Sequence, residues 1–313
     1  MKKRRHHHVW QYYLKSWETH GRINCLFKDS NKIISTASIN LAQERDFYKP
    51  YKLSDLELFF VSKITGREDT HPLVKSMQEK WINSHRMIFI AQDYYHSNNF
   101  DIPEIKNKIE ETIHNNYEDL HENIEKDGIE FIDLIKKNNV SFYKDNVLCA
   151  KFMNFIAMQF MRTKKVKNGL IQSNKIIMEK YPKFKIENSC DLISVIFATN
   201  IGFSLYSDRK IYKLILLKNL NENMPFVTSD QPVINTLSDY SYPSNTEITD
   251  LEIYYPISSS LAVLLAKKES YIDIDEIKVE ENLVNHYNQK IVASAYNQIF
   301  CSSNTYLASL REK

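Results

Sequence analysis

Hydrophobic residues recur every three or four positions through the middle of the chain, which is the spacing of helices that bury one face. Residues 101–138 carry one such stripe, with a break expected near Asp127-Gly128. The segment from Asn146 to Arg162 is apolar nearly all round, so we predict a central buried helix there. Residues 54–206 are therefore predicted to be helical. The remaining predicted helices of this region are 54–64, 71–96 and 189–206.

The residues before this helical middle follow a different pattern. Apolar positions between His6 and Trp17 have helical spacing and predict a short first helix. The runs 22–27 and 32–36 have strand character and flank the turn-prone Asp29-Ser30-Asn31. We therefore predict a small N-terminal β-hairpin after the first helix.

The pattern changes again in residues 208–313, where short β-like runs are separated by Asn, Ser, Asp and Pro. This part is predicted to form an antiparallel sheet, followed by a helix over 276–297. The predicted fold is thus α+β and mainly helical, and we expect residues 1–313 to form a single domain. The predicted strands are 212–217, 225–228, 251–256 and 261–266.

Composition and charge exclude several classes of protein. The chain has only 5 glycines and 8 prolines in 313 residues, which argues against a sandwich of many short strands and against a glycine-rich phosphate loop. The formal net charge of +2 gives no overall field that would attract nucleic acid. Any nucleic-acid role must therefore depend on local patches.

Cysteine spacing and hydropathy indicate the compartment. The four cysteines occur singly, without C-x-x-C spacing, as buried thiols do in a reducing compartment. The charged N-terminus is not followed by an apolar signal region, and no stretch approaches 18 apolar residues. We expect a cytoplasmic protein without a membrane segment.

The first candidate for chemistry is the histidine run at residues 6–8, with Gln11 and Tyr13 shortly after it. On a helix His7 and Gln11 are four residues apart and share a face. A neutral imidazole such as that of His8 can act as a general base or a metal ligand. The alternative is that these histidines are exposed or simply packed.

The second candidate is Asp230, in Thr228-Ser229-Asp230-Gln231-Pro232 at the end of an apolar run. Its carboxylate could be presented into a cleft, where it would orient a histidine or hold a metal ion. Ser and Asp side chains also bond the backbone amides of turns, so a purely structural turn is the competing interpretation.

The third candidate is the end of the most apolar helix, where Gln159 and Arg162 are neighbours on one face. A guanidinium at this position is either a salt-bridge partner or a bidentate clamp for carboxylate or phosphate.

Acidic residues outside these motifs give weaker signals. Glu44 and Asp46 form a fourth candidate, with a solvated surface as the alternative. Glu118, Glu122 and Glu125 share one helical face, which we interpret as a solvent-exposed face rather than a site.

Four of these segments together resemble a known family. They are His7 to Trp17, Glu44 to Tyr48, Gln159 to Thr163 and Phe226 to Val233. In this order and spacing they resemble the motifs of the DUF4238 family, a bacterial and fungal domain of unknown function. Each motif is short, so the specificity lies in the ordered set.

Two positions depart from that family's pattern. Trp10 and Lys164 stand where the family usually has proline, so the local backbone is expected to differ at both. The resemblance supplies no reaction, but it implies that five residues form one site. They are His8, Glu44, Gln159, Arg162 and Asp230.

A site with an imidazole, carboxylates, an arginine and an amide suits hydrolysis of a phosphodiester. The leading hypothesis is a nuclease-like hydrolase that acts on RNA or DNA in a bacterial cell, as a toxin or phage-defence component. His8 is the expected base and Arg162 the phosphate clamp. Glu44 and Asp230 are the expected acidic partners or ligands of a divalent metal ion. The expected binding residues are His7, Gln11, Tyr13 and Gln159.

Two other classes of function stay open. The polar cluster could belong to a non-enzymatic sensor that captures a small anionic ligand or a protein, such as one encoded nearby. It could also be a buried polar network that fixes how the helices meet the sheet.

Overall fold

The computed structural model describes residues 1–66, 68, 70–240 and 250–312. Its helices follow the predicted hydrophobic stripes. The helix that follows Ser54 begins with a capping box, in which the Ser54 hydroxyl accepts from the Glu57 amide and the Glu57 carboxylate accepts from the Ser54 amide. The helices are α1 (Gln11–Leu14), α2 (Asp55–Thr65), α3 (Pro72–Ser97), α4 (Pro103–Lys136), α5 (Asn146–Met161), α6 (Lys164–Ser173), α7 (Lys175–Lys180), α8 (Ile186–Ser207), α9 (Glu281–Ser294) and α10 (Asn304–Ser309).

Helices α5 and α8 pack against each other at the centre of the helical part. Gly202 of α8 allows this close approach, because a Cβ at this position would lie 3.1 Å from the Asn154 Cα. Among the described residues, α8 is the one helix long and apolar enough to cross a membrane. However, 67% of its apolar window is buried inside the fold. This is the pattern of a core helix, so there is no clear signal of a membrane protein.

The strands form three sheets. The predicted hairpin is confirmed, and its strands β2 and β3 belong to a four-stranded sheet in the order β3-β2-β11-β6. A five-stranded sheet has the order β10-β5-β9-β8-β7, and β1 pairs with β4 in a third sheet. The strands are β1 (Arg5–His7), β2 (Ile23–Phe27), β3 (Lys32–Thr36), β4 (Gln43–Arg45), β5 (Tyr212–Asn219), β6 (Thr228–Ser229), β7 (Ile234–Asn235), β8 (Ile253–Pro256), β9 (Leu261–Lys267), β10 (Glu276–Val279) and β11 (Gln298–Cys301).

The first predicted helix was wrong at its start. His6 and His7 lie in strand β1, where His6 is opposite Glu44 of β4, and helix begins only at Gln11. The argument that His7 and Gln11 share a helical face therefore fails. Backbone pairing with β4 outweighs the helical spacing of the apolar residues at this position.

Two further predictions of secondary structure were wrong. Helix α4 continues through Gly128, because this glycine serves packing: an added Cβ would overlap the Phe155 ring of α5. The predicted helix over 276–297 is instead β10, α9 and the start of the turn before β11. Since β10 pairs in parallel with β5, the C-terminal sheet is mixed, although its other pairings are antiparallel.

The largest hydrophobic core joins the N-terminal segment, the helical middle and the C-terminal sheet. Tyr13 of α1 stacks on Tyr255 of β8 with ring centroids 4.9 Å apart, and Phe155 of α5 contacts both Trp10 and Tyr255. These contacts join α1, α5 and β8, and Phe131 of α4 packs on Phe155 with ring centroids 6.4 Å apart. The polar residues described next lie at that junction.

Candidate functional site

Arg162 caps the C-terminal end of α5 and is buried, with 4% of its surface exposed. Its Nε donates to the Tyr48 hydroxyl at 3.0 Å, its Nη2 donates to the His7 carbonyl oxygen at 2.6 Å, and its Nη1 forms an ion pair with Glu125. Burial alone would lower the pKa of Arg162, but Tyr48 and Glu125 outweigh it and the pKa is raised. Arg162 thus ties α5 to α4 and to strand β1, and it remains charged.

Glu118 lies two helical turns before Glu125 and is 8% exposed. Its Oε2 is buried and has no hydrogen-bond partner. Burial raises the pKa of Glu118 to about 7, although the Arg162 charge opposes the increase. A carboxyl in this state exchanges its proton near neutral pH.

Glu118 and Glu125 border a cavity of about 230 Å³, which we call the acidic cleft. Its walls come from α1, the residues on either side of it, and one face of α4. The interpretation of this face of α4 as solvent-exposed was therefore wrong for Glu118 and Glu125, which are covered by the N-terminal segment. The cleft is lined by His7, Trp10, Gln11, Tyr12, Lys15, Glu118, Glu122 and Glu125.

His8 lies beside the acidic cleft but does not line it. The side chain is 4% exposed and packs on the Phe47 ring, with centroids 5.4 Å apart. Its Nδ1 has no hydrogen-bond partner, and burial lowers the pKa of His8 to about 3. His8 is therefore neutral at physiological pH, and its low basicity makes it a weak proton acceptor. Gln159 is also buried, with an unpartnered Nε2.

Asp230 is part of a different polar network. Its Oδ1 accepts from the Tyr296 amide at 2.7 Å, while Oδ2 accepts from the amides of Asn297 at 2.7 Å and Gln298 at 2.9 Å. Burial raises the pKa of Asp230, and these three amides oppose the increase. The carboxylate anchors the turn that leads into β11. Asp230 and Arg162 share no hydrogen-bond partner among the described residues.

Glu44 and Tyr13 also lie away from the acidic cleft. Glu44 is on the surface of β4 and pairs with Lys164 at 2.7 Å. The Tyr13 ring is buried in the core, and its hydroxyl donates to the Pro256 carbonyl oxygen at 2.8 Å. Of the predicted site residues, only His7 and Gln11 line the acidic cleft. Arg162 reaches it only through its ion pair with the lining residue Glu125. The cleft is not lined by His8, Tyr13, Glu44, Gln159 or Asp230.

Sequence reasoning missed Glu118 and Glu125. The available signal was their spacing of seven residues, which places both on one face of α4, beside the apolar stripe of Tyr117 and Ile124. A buried Arg162 also requires a carboxylate partner. As for metals, no three His, Cys, Asp or Glu side chains in the described ranges are grouped so that they could hold a metal ion.

The fold and this site define an α+β protein whose acidic cleft lies between the N-terminal segment and a long helix. The chain belongs to the DUF4238 family of proteins of unknown function, whose model matches residues 5–305. No curated protein and no solved structure matches the chain.

Proposed function

We propose that this protein is a hydrolase in which Glu118 transfers the proton. One observation carries the proposal: the Glu118 carboxyl lines the acidic cleft, has an unpartnered buried oxygen and has a pKa of about 7. A general acid or base is most effective when its pKa lies near the working pH. Strongly perturbed carboxyls in clefts are also concentrated at functional sites.

Hydrolysis uses both the ionised and the protonated form of the Glu118 carboxyl. As a carboxylate, Glu118 accepts a proton from the attacking water, and as an acid it returns a proton to the leaving group. His7 and Gln11 line the same cleft and are the proposed substrate-binding residues. Arg162 acts indirectly, since its bonds to Glu125 and the His7 backbone hold two walls of the cleft in place.

The sequence suggested a nuclease-like effector of toxin or phage-defence type, acting inside a bacterial cell, and nucleic acid is the first substrate class to assay. Lys15 at the cleft supports this class, because an exposed lysine can contact phosphate. The three carboxyls of the cleft and the burial of Arg162 oppose it. The assay below therefore keeps RNA, DNA and small molecules apart.

The test uses oxygen-18 water, because every hydrolase transfers a water oxygen to its product. Bacterial RNA, DNA and small-molecule fractions are incubated separately with the wild type, Glu118→Gln or Glu130→Gln. Glu130 is an exposed glutamate of the same helix and gives a matched control. We expect labelled product with the wild type and Glu130→Gln, and a rate lower by about 100-fold or more with Glu118→Gln.

Two results would overturn the hydrolase proposal. One is that no fraction gains label with the wild type. The other is that Glu118→Gln labels the product at the wild-type rate.

A second candidate function is a binding module without turnover. It is favoured by the bonds of Arg162, Asp230 and Glu44, whose charged groups are already paired within the fold. This candidate predicts a ligand that binds in the acidic cleft and is released unchanged.

A further inference from the structure

One carboxyl of the acidic cleft has no ion-pair partner in the part of the chain that the structure describes. Glu122 pairs with Lys3 at 2.6 Å, and Glu125 pairs with Arg162. Glu118 has no ion pair among the described residues, and its Oε2 is buried without a donor. Within the described ranges, the cleft therefore contains one carboxyl without an ion pair, and Lys15, which also lines the cleft, forms no ion pair with it.

Aromatic rings also line the acidic cleft. Trp10 and Tyr12 stack with centroids 5.1 Å apart, and both line the acidic cleft. The Tyr12 ring already receives the Lys136 ammonium group at 5.3 Å from its centroid. Aromatic faces attract ammonium and guanidinium groups, and they do so more strongly where water is excluded.

We infer that the acidic cleft binds an organic cation, an ammonium or guanidinium group on a narrow apolar stem, whose charge pairs with Glu118. The inference names the ligand class of the cleft and holds whether or not that ligand is hydrolysed. The cavity of about 230 Å³ accommodates one such group with a short stem. Since the described side chains offer no cluster of metal ligands, an organic cation fits the site better than a metal ion.

The stem would contact the Trp10 and Tyr12 rings, and the cation would pair with Glu118. The Gln11 amide can accept a further hydrogen bond from the cation. A phosphate at the same place would meet three carboxyls, so nucleic acid is expected to bind poorly here.

Binding should depend on pH because the cation pairs with the ionised form of Glu118. The charged groups that act on Glu118 are Arg162 from the end of α5, Glu122 and Glu125 from α4, and Lys3 from the N-terminal segment. His7 and Lys15 of the N-terminal segment line the same cleft. The pKa of Glu118 lies at about 7, so the carboxylate fraction falls about tenfold between pH 8 and pH 6. The affinity should fall by the same factor.

The experiment is calorimetric titration of the full chain with n-butylguanidine, and with n-butylurea as the neutral ligand of similar shape. We expect saturable binding of one butylguanidinium per chain and no measurable binding of butylurea. Glu118→Gln should weaken binding at pH 8 about tenfold or more, while Glu130→Gln should match the wild type. Thermal unfolding of both variants checks that they fold.

The inference is overturned if the wild type does not bind butylguanidinium, if butylurea binds equally well, or if a folded Glu118→Gln variant binds as the wild type does. The comparison of the two ligands on the wild type does not depend on any variant. Cation binding without oxygen-18 incorporation would keep this inference and remove the hydrolase proposal. Oxygen-18 incorporation without cation binding would keep the hydrolase proposal and overturn the cation-binding inference.

Discussion

Asp230 and Glu118 are two buried carboxyls in opposite situations. Asp230 accepts three backbone hydrogen bonds that leave neither oxygen without a donor. Glu118 has one oxygen without any donor, and it borders a cavity. Because an unpaired buried polar group costs stability, folding alone does not explain Glu118. Asp230, which belongs to a recognisable sequence motif, thus maintains the fold. Glu118, which lies on an ordinary charged helix face, is the better candidate for function.

The largest effect that tests this contrast is expected from Arg162→Ala. It leaves the Glu125 carboxylate buried without its cation and removes the donors to Tyr48 and His7. We expect a loss of about 3–5 kcal/mol in the free energy of unfolding, measured with urea. Arg86→Ala, which breaks a surface pair with Asp55, is the control and should cost less than about 1 kcal/mol. A loss below about 1 kcal/mol in the free energy of unfolding for Arg162→Ala would show that the bonds of Arg162 do not stabilise the fold.

Asp230→Ala should be next in size. It leaves three amides of the turn before β11 without an acceptor, at a cost of about 3 kcal/mol in the free energy of unfolding. Asp230→Asn retains one acceptor oxygen and should lose less. If the Ala variant were as stable as the wild type but inactive in the oxygen-18 assay, Asp230 would have a functional role. The contrast with Glu118 would then be wrong.

Glu118→Gln should change the pH dependence of stability. The folded-state pKa of Glu118 is raised to about 7 from an ordinary value of 4.5, so its protonated form is favoured by folding. The wild type should therefore lose stability relative to Glu118→Gln as the pH rises from 4.5 through 7, by about 3 kcal/mol in total.

Urea unfolding of both proteins at pH 4.5 and pH 8 measures this difference. The histidines whose pKa values are lowered, such as His8, destabilise both proteins alike as the pH falls below 6.5, so they cancel in the comparison. A difference in stability that is equal at the two pH values would contradict the raised pKa.

The smallest effect is expected at Glu44. Its ion pair with Lys164 lies at the surface, so Glu44→Gln should change the free energy of unfolding by less than about 1 kcal/mol and leave hydrolysis unchanged. Loss of oxygen-18 incorporation in a stable Glu44→Gln variant would restore the sequence-based grouping of Glu44 with His8.

The parts of the fold that were predictable from sequence are those fixed by local pattern. The all-round apolar character of Phe152 and its neighbours indicated the central helix, and Ser54 with Glu57 indicated the start of α2. The strand β10 was not predictable in this way, because its parallel pairing with β5 depends on residues about 60 positions away. The helix predicted at His6 was wrong for the same reason, since strand β1 forms only by pairing with β4.

The site was less predictable than the fold. The state of Glu118 depends on which segment covers α4, and periodicity gives the face of a helix without giving its neighbour. The Arg162 environment was partly accessible, because a guanidinium at the end of a buried helix needs an acceptor. Which carboxylate supplies it, Glu125 rather than Asp230, follows only from the three-dimensional packing.

The position of β11 between β2 and β6 has a consequence for synthesis on the ribosome. Asn24 of the first hairpin bonds to the Cys301 carbonyl oxygen, 277 residues later, and Asp230 receives its three donors only from residues 296–298. The emerging chain therefore keeps an open hairpin edge until residues 298–301 have been translated. A nascent chain without residues 298–301 therefore exposes the edge of β2 that β11 covers in the folded protein.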